Sequence, residues 1–152
     1  YFLFRRWTRP MVLYSATKDF PHADRLGEAG ADAGTFHCAE RVLITTTEKQ
    51  NAREATGADA VEMESGTIWK ICETIDVPCA TVRVISDAAD ETLPLDFNRL
   101  LNSENKISHA ALAKALLKCP GSIPGLIRFQ RNITECADRL GTVLTRALLP
   151  EN

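Results

Sequence analysis

Residues 58–90, ADAVEMESGTIWKICETIDVPCATVRVISDAAD, restrict what this chain can fold into more than any other stretch. Residues 58–63 form a short apolar-rich run that ends in Glu62-Met63-Glu64. From Ser65 to Asp76 the apolar residues Ile68, Ile71, Cys72 and Ile75 recur three and four apart, the spacing of one helix face turned to a core. Pro78 stops that helix, since it lacks an amide proton and clashes with the preceding turn. Residues 79–85 are small and β-branched, as in a strand covered on both faces, and they end in Ser86-Asp87. Strand, helix and strand of these lengths predict a parallel pair joined by a right-handed crossover. Ligands of such sheets bind beyond the carboxyl ends of the strands. Glu62, Glu64, Ser86 and Asp87 are therefore expected on one rim. The fold class implied is α/β: a central mixed, largely parallel sheet flanked by helices.

Composition narrows the function classes. The 152 residues are 45% hydrophobic and 25% charged, enough apolar material for one globular core. A net charge of −2 gives no bulk attraction to nucleic acid or to an anionic membrane, and neither partner is expected. The five cysteines (Cys38, Cys72, Cys79, Cys119 and Cys136) show no CxxC spacing. They read as reduced thiols of a cytoplasmic protein, with no metal site. His22, His37 and His109 are also spaced unlike metal ligands. The opening YFLFRRWTRP puts apolar residues before Arg5-Arg6, the reverse of a signal peptide, and is too short to span a membrane. It suggests a domain truncated at its N-terminus.

Along the rest of the chain, residues 11–14 suggest a strand, and residues 24–33 a short acidic helix or loop broken by Gly27 and Gly30. Residues 36–46, FHCAERVLITT, predict a strand. Thr47 is placed to cap a helix over residues 48–55 that Thr56-Gly57 ends. A loop comes after Asp87. Helices are predicted over residues 96–101 and 108–118, the second with Ala111, Leu112, Ala115 and Leu116 on one face. Cys119-Pro120-Gly121 and Pro124-Gly125 interrupt the pattern. A last helix over residues 126–149 carries Ile133, Ala137, Leu140, Leu144 and Leu148 at core spacing.

VEMES at residues 61–65, followed by VRVISDAAD at residues 82–90, resembles the nucleoside phosphorylase superfamily. The resemblance is nearest to its nucleosidases that hydrolyse methylthioadenosine and S-adenosylhomocysteine, with the hopanoid-associated nucleoside phosphorylases a related branch. It extends loosely over residues 36–152, the C-terminal portion of such a domain, and leaves residues 1–35 poorly assigned. It implies cleavage of the N-glycosidic bond of a purine nucleoside, with no cofactor, with phosphate as a possible co-substrate and within a homo-oligomer. It also implies that Asp87 protonates or hydrogen-bonds the purine N7. Aspartate is ionised near neutrality, so it serves as an acid only where burial or a neighbouring negative charge favours its protonated form. Glu64 would accept hydrogen bonds from the 2′- and 3′-hydroxyls and place charge near the developing oxocarbenium ion. Met63 would pack on ribose and base, Glu62 would add a secondary ribose contact, and the base would stack within residues 42–44. Arg83 lines the site in the resembling enzymes. An arginine on an apolar strand also needs a partner, such as Glu64 or a bound anion. Ser86 would orient Asp87.

Each of these residues also has a plainer reading. Asp87 and Ser86 suit the end of a strand, Glu64 suits a helix start, Met63 suits a core, and Arg83 suits a strand end with its head in water. The family's first half supplies a glycine-containing phosphate loop and a water-activating glutamate, and no glycine-rich strand-to-helix loop occurs here. The alternative to an enzyme is accordingly a truncated, non-catalytic member that binds nucleoside or forms an oligomer.

Overall fold

The computed structural model of the chain describes the backbone of Phe2–Leu3 together with residues 11–100 and 107–149. The rest of the opening YFLFRRWTRP segment, and the end of the helix expected at 96–101, lie outside the described residues. Among the described residues, seven strands form two sheets. β1 (Phe2–Leu3), β4 (Phe36–Cys38), β5 (Ala60–Glu62) and β7 (Asp87–Ala88) build one sheet, in the order β4-β5-β1-β7. β2 (Val12–Ala16), β3 (Asp32–Ala33) and β6 (Ala80–Val84) build the other, in the order β3-β2-β6. Between β2 and β7 the chain passes between the sheets three times, from β3 into β4, from β5 into β6 and from β6 into β7. Pairing is mixed: β4–β5, β1–β7 and β2–β3 are parallel, whereas β1–β5 and β2–β6 are antiparallel.

The α/β class with a mixed sheet and flanking helices is as expected. The parallel pairing of the strands on either side of the central helix is not. β5 and β6 belong to different sheets, because β1 takes the open edge of β5 while β2 pairs along the whole of β6, from Val12 opposite Val84 to Ala16 opposite Ala80.

β2 is the hub of the core. Side chains alternate across a strand, and Val12 and Leu13 are both almost fully buried on opposite faces. Val12 joins Leu26 of α1 (Ala23–Glu28) with Val143 and Ala147 of α5 (Ile123–Leu148), while Leu13 meets Ala60 and Ile85. α1 runs through Gly27 and gives way to Gly30, whose φ of +93° a side chain would strain. α5 begins at Ile123 rather than at 126, because Pro124 sits in its first turn, where the missing amide costs nothing. Its buried stripe is Cys136, Val143 and Ala147. The expected stripe lies about one position to the side, with Ile133 and Leu148 exposed. Smaller residues face inward and let the helix approach the sheet.

α3 (Ser65–Thr74) departs from expectation in the same way. Ile68, Ile71 and Ile75 are more than half exposed. The inward side is Ser65, Gly66, Trp69 and Cys72, a second stripe at the same spacing, and Trp69 donates from Nε1 to Thr81 Oγ1 at 2.6 Å. The strand expected over 36–46 stops at Cys38, and the chain continues as a loop to α2 (Thr46–Thr56). α4 (His109–Lys118) keeps Ala111, Leu112, Ala115 and Leu116 half-buried, as the spacing predicts, whereas the described residues 96–100 hold a single 3₁₀ turn at Phe97–Arg99. Among the described residues, no helix is long and apolar enough to cross a membrane.

The start of α2 is fixed by its own side chains. Its N-cap is Thr45 rather than Thr47, with a reciprocal capping box: Thr45 Oγ1 accepts from the Glu48 amide, and Glu48 Oε2 accepts from the Thr45 amide at 2.9 Å. Glu48 also accepts from the Ile44 amide at 2.9 Å and pairs with Arg41 at 2.6 Å. The Thr45 amide, the Arg41 guanidinium and the Ile44 amide outweigh the effect of burial and hold the Glu48 carboxyl down at about 2. A carboxyl held below its ordinary 4.5 binds its proton first in the unfolded chain. Its contribution is therefore complete above pH 4.5 and is lost as pH falls toward 2. Urea unfolding at a series of pH values should show the Glu48→Gln variant losing less stability than the wild type across that window. Equal losses in both would remove the capping box as the source.

Candidate active site

β5 ends in Glu62 and α3 begins three residues later, so the N-terminal amides of the helix need acceptors. Glu62 supplies one. Its carboxylate is almost fully buried, and Oε2 accepts from the Glu64 and Ser65 amides at 2.8 and 2.7 Å. Burial raises the Glu62 carboxyl, but hydrogen bonds from the Ser65 side chain and amide, the Glu64 amide and the Cys38 thiol leave it lowered overall. Arg83, projecting from β6, lies with its guanidinium 3.5 Å from Glu62 Oε2 and 3.0 Å from Glu64 Oε2. The charge that β6 carries into an apolar neighbourhood is thus met by two carboxylates from the end of β5. Glu62 Oε1 is buried and has no hydrogen-bond partner among the described residues.

Glu64 is the N-cap residue of α3, yet its side chain makes no capping bond and is 63% exposed. Freed from the helix end by Glu62, it projects into a cleft of about 150 Å³ that Arg41, Val42, Leu43, Val61, Glu62, Met63, Glu64, Asp87 and Leu93 line. Its lining combines three carboxylates, one guanidinium and five apolar side chains. Such a cleft suits a ligand with a flat apolar part and a hydroxylated part. The wall at Arg41–Leu43 is pinned from across the chain. Asn98 accepts from the Val42 amide at 3.0 Å and donates to its carbonyl at 2.9 Å.

Asp87 opens β7 and is buried. Ser86 Oγ donates to Asp87 Oδ1 at 2.8 Å, the orienting contact expected of it. The second oxygen has a different neighbour from the one expected. Lys49 of α2, 0% exposed, places Nζ 2.7 Å from Asp87 Oδ2 and also donates to the carbonyls of Ala88 at 2.9 Å and Glu91 at 2.7 Å. Burial of the aspartate is present, but the charge beside it is a cation, not an anion. Asp87 and Leu93 also border a second cleft, of about 230 Å³, beside Arg128 and Phe129 of α5.

Every residue singled out from the sequence comes together here. Glu62, Met63, Glu64 and Asp87 line the cleft, Arg83 stands behind the two glutamates, and Ser86 holds Asp87. Lys49, Arg41 and Asn98 are additions that the sequence pattern does not single out. Of these only Lys49 leaves a trace in it: it lies three residues before Ala52, on the inward stripe of α2 where an apolar residue belongs.

The chain is similar to known proteins over this region. Residues 13–118, more than half of the chain, match the Phosphorylase superfamily. An aminodeoxyfutalosine nucleosidase of Campylobacter jejuni is 33% identical over 76 residues, which are 50% of this chain and 33% of that protein. A 5′-methylthioadenosine/S-adenosylhomocysteine nucleosidase of Mycobacterium tuberculosis is 30% identical over 83 residues, 55% of this chain and 32% of that protein. The chain spans about a third of the length of these curated relatives. No solved structure matches the chain.

The two glutamates of the cleft should separate in stability measurements. Glu62→Ala removes an acceptor shared by two helix amides and leaves Arg83 short of a buried partner, a loss of about 2–4 kcal/mol. Glu64→Ala, acting at an exposed ion pair, should cost less than about 1 kcal/mol. Urea unfolding of both variants checks the difference, and equal losses would show that Glu62 does not hold the site together.

Proposed function

Since the chain belongs to the phosphorylase superfamily, we propose that it cleaves the N-glycosidic bond of a purine nucleoside of the adenosine, methylthioadenosine or S-adenosylhomocysteine type. The observation that carries this reading is the convergence of Glu62, Glu64 and Asp87 on one cleft that Val42, Leu43, Met63 and Leu93 also line. Nucleoside cleavage by the relatives named above supports it. The purine lies against Val42 and Leu43, and the ribose lies toward Met63 and the glutamates.

The chemistry asks for little more. As the bond from C1′ to the base breaks, its electron pair goes to the purine and positive charge spreads over C1′ and the ring oxygen. Asp87 serves N7 of the departing base only in the state in which its carboxyl carries a proton, which it then donates to N7. Glu64 accepts from the 2′- and 3′-hydroxyls, and its charge stabilises the cation most where that charge is greatest. Glu62, which lines the same cleft, adds the secondary ribose contact. Arg83 holds the two glutamates in place. The acceptor of the ribosyl group is water or phosphate, and the setting is a cytoplasmic homo-oligomer.

A second reading, a nucleoside-binding or oligomer-forming module without turnover, is favoured by the exposed Ile68, Ile71 and Ile75 of α3. One assay separates the two. The chain is incubated with each nucleoside, with and without phosphate, and base release is followed. Expected are turnover by the wild type, a fall of about 10²–10⁴-fold in kcat for Asp87→Asn, and loss of nucleoside but not adenine binding for Glu64→Gln. Binding without base release would leave the nucleoside-binding module, and neither binding nor release would overturn the enzyme and that module alike.

A further inference from the structure

Lys49 is the group in the molecule whose placement most needs explaining. A fully buried ammonium is costly, and a buried ion pair seldom stabilises a fold more than apolar residues of the same size would. Yet Lys49 reaches the carboxylate at the centre of the site, and its surroundings are built to aim it. The capping box at Thr45 and Glu48 fixes the first turn of α2 one residue before it. From there Nζ bonds to Asp87 Oδ2 and to the carbonyls of Ala88 and Glu91. Those carbonyls belong to a turn closed by the Glu91 amide on Ala88 O at 3.2 Å. The same turn leads to Leu93, whose amide bonds Ile44 O at 3.0 Å and whose side chain walls the cleft. Ser86 holds the other oxygen of Asp87. The carboxylate is therefore held at both oxygens, and one ammonium ties it to the wall of the cleft.

We propose that Lys49 is a positioning residue for Asp87: it sets the plane of that carboxylate against the leaving base and keeps it in register with the turn over residues 88–91. This rests on the purine-nucleoside reading of the cleft. Lys49 itself lines neither cleft that Asp87 borders, so its effect on the reaction passes through Asp87.

That indirect action is what the test addresses. In the full chain, kcat and KM for base release are measured for the wild type, Lys49→Met, Asp87→Asn and the double variant, with thermal melting as a check on folding. Lys49→Met should lower kcat by about 100-fold and leave KM within about threefold, the pattern of an interaction expressed in the transition state. In the Asp87→Asn background the same change should lower kcat by less than about threefold, because groups acting as one unit are not additive. Lys49→Arg keeps a positive charge for the buried carboxylate and carries the same cycle if the methionine variant does not fold. Its altered geometry should cost about tenfold in kcat on the Asp87 background alone. Equal losses in both backgrounds, or a kcat for Lys49→Met within about threefold of the wild type, would overturn the inference and leave the purine-nucleoside reading standing. A wild-type chain that folds and releases no base from any of the nucleosides would overturn both.

Discussion

The Glu62 carboxylate is the point on which the site's geometry depends. It closes the amino end of α3, receives the guanidinium that β6 projects, and stands at the last residue of β5. One helix and a strand from each sheet meet at one buried group. A helix whose first amides are already satisfied does not need its own N-cap side chain, and that is why Glu64 is available to the cleft. The unmet amides at the start of α3 are thus satisfied by one acid, and its neighbour two residues on lines the cleft and pairs with Arg83 instead.

The same arrangement explains why so much of the site and so little of the topology was legible in the sequence. Glu62, Met63, Glu64, Ser86 and Asp87 sit at the ends of short apolar runs, and a run of that kind announces both its own strand and the rim at which it ends. The strand–helix–strand grammar is local and survives in β5, α3 and β6. The partner of each strand is not local. A two-residue strand from the far end of the chain separates β5 from β7, and nothing in residues 58–90 encodes that insertion.

Helix faces are misleading in the sequence for a related reason. α3 and α5 each carry two stripes at helical spacing; in α3 hydrophobicity alone selects the outer one, and in α5 the stripe it selects falls to one side of the most buried line, with Leu140 still packed on the core. In both helices small or mixed residues face the sheet instead: Ser65, Gly66 and Trp69 in α3, and Cys136, Val143 and Ala147 in α5. Gly66 shows the steric reason, since a Cβ there would stand 3.1 Å from the Cys38 side chain. Lys49 escapes notice because a lysine in a polar helix is ordinarily a solvated one. Its burial depends on a carboxylate 38 residues away, a distance at which neither residue's local pattern refers to the other.

The side of the cleft that carries Val42 is held in a different way from the acidic residues. No sheet ladder reaches Val42: its amide donates to Asn98, and its carbonyl accepts from Asn98 at 2.9 Å and from Arg41 at 3.4 Å. Leu43 beside it packs against Val61 and Ala89. The glutamates take their positions from the strands of both sheets, whereas Val42 takes its position from a side chain 56 residues away. A change at Asn98 therefore reaches the cleft without touching a strand or a carboxylate.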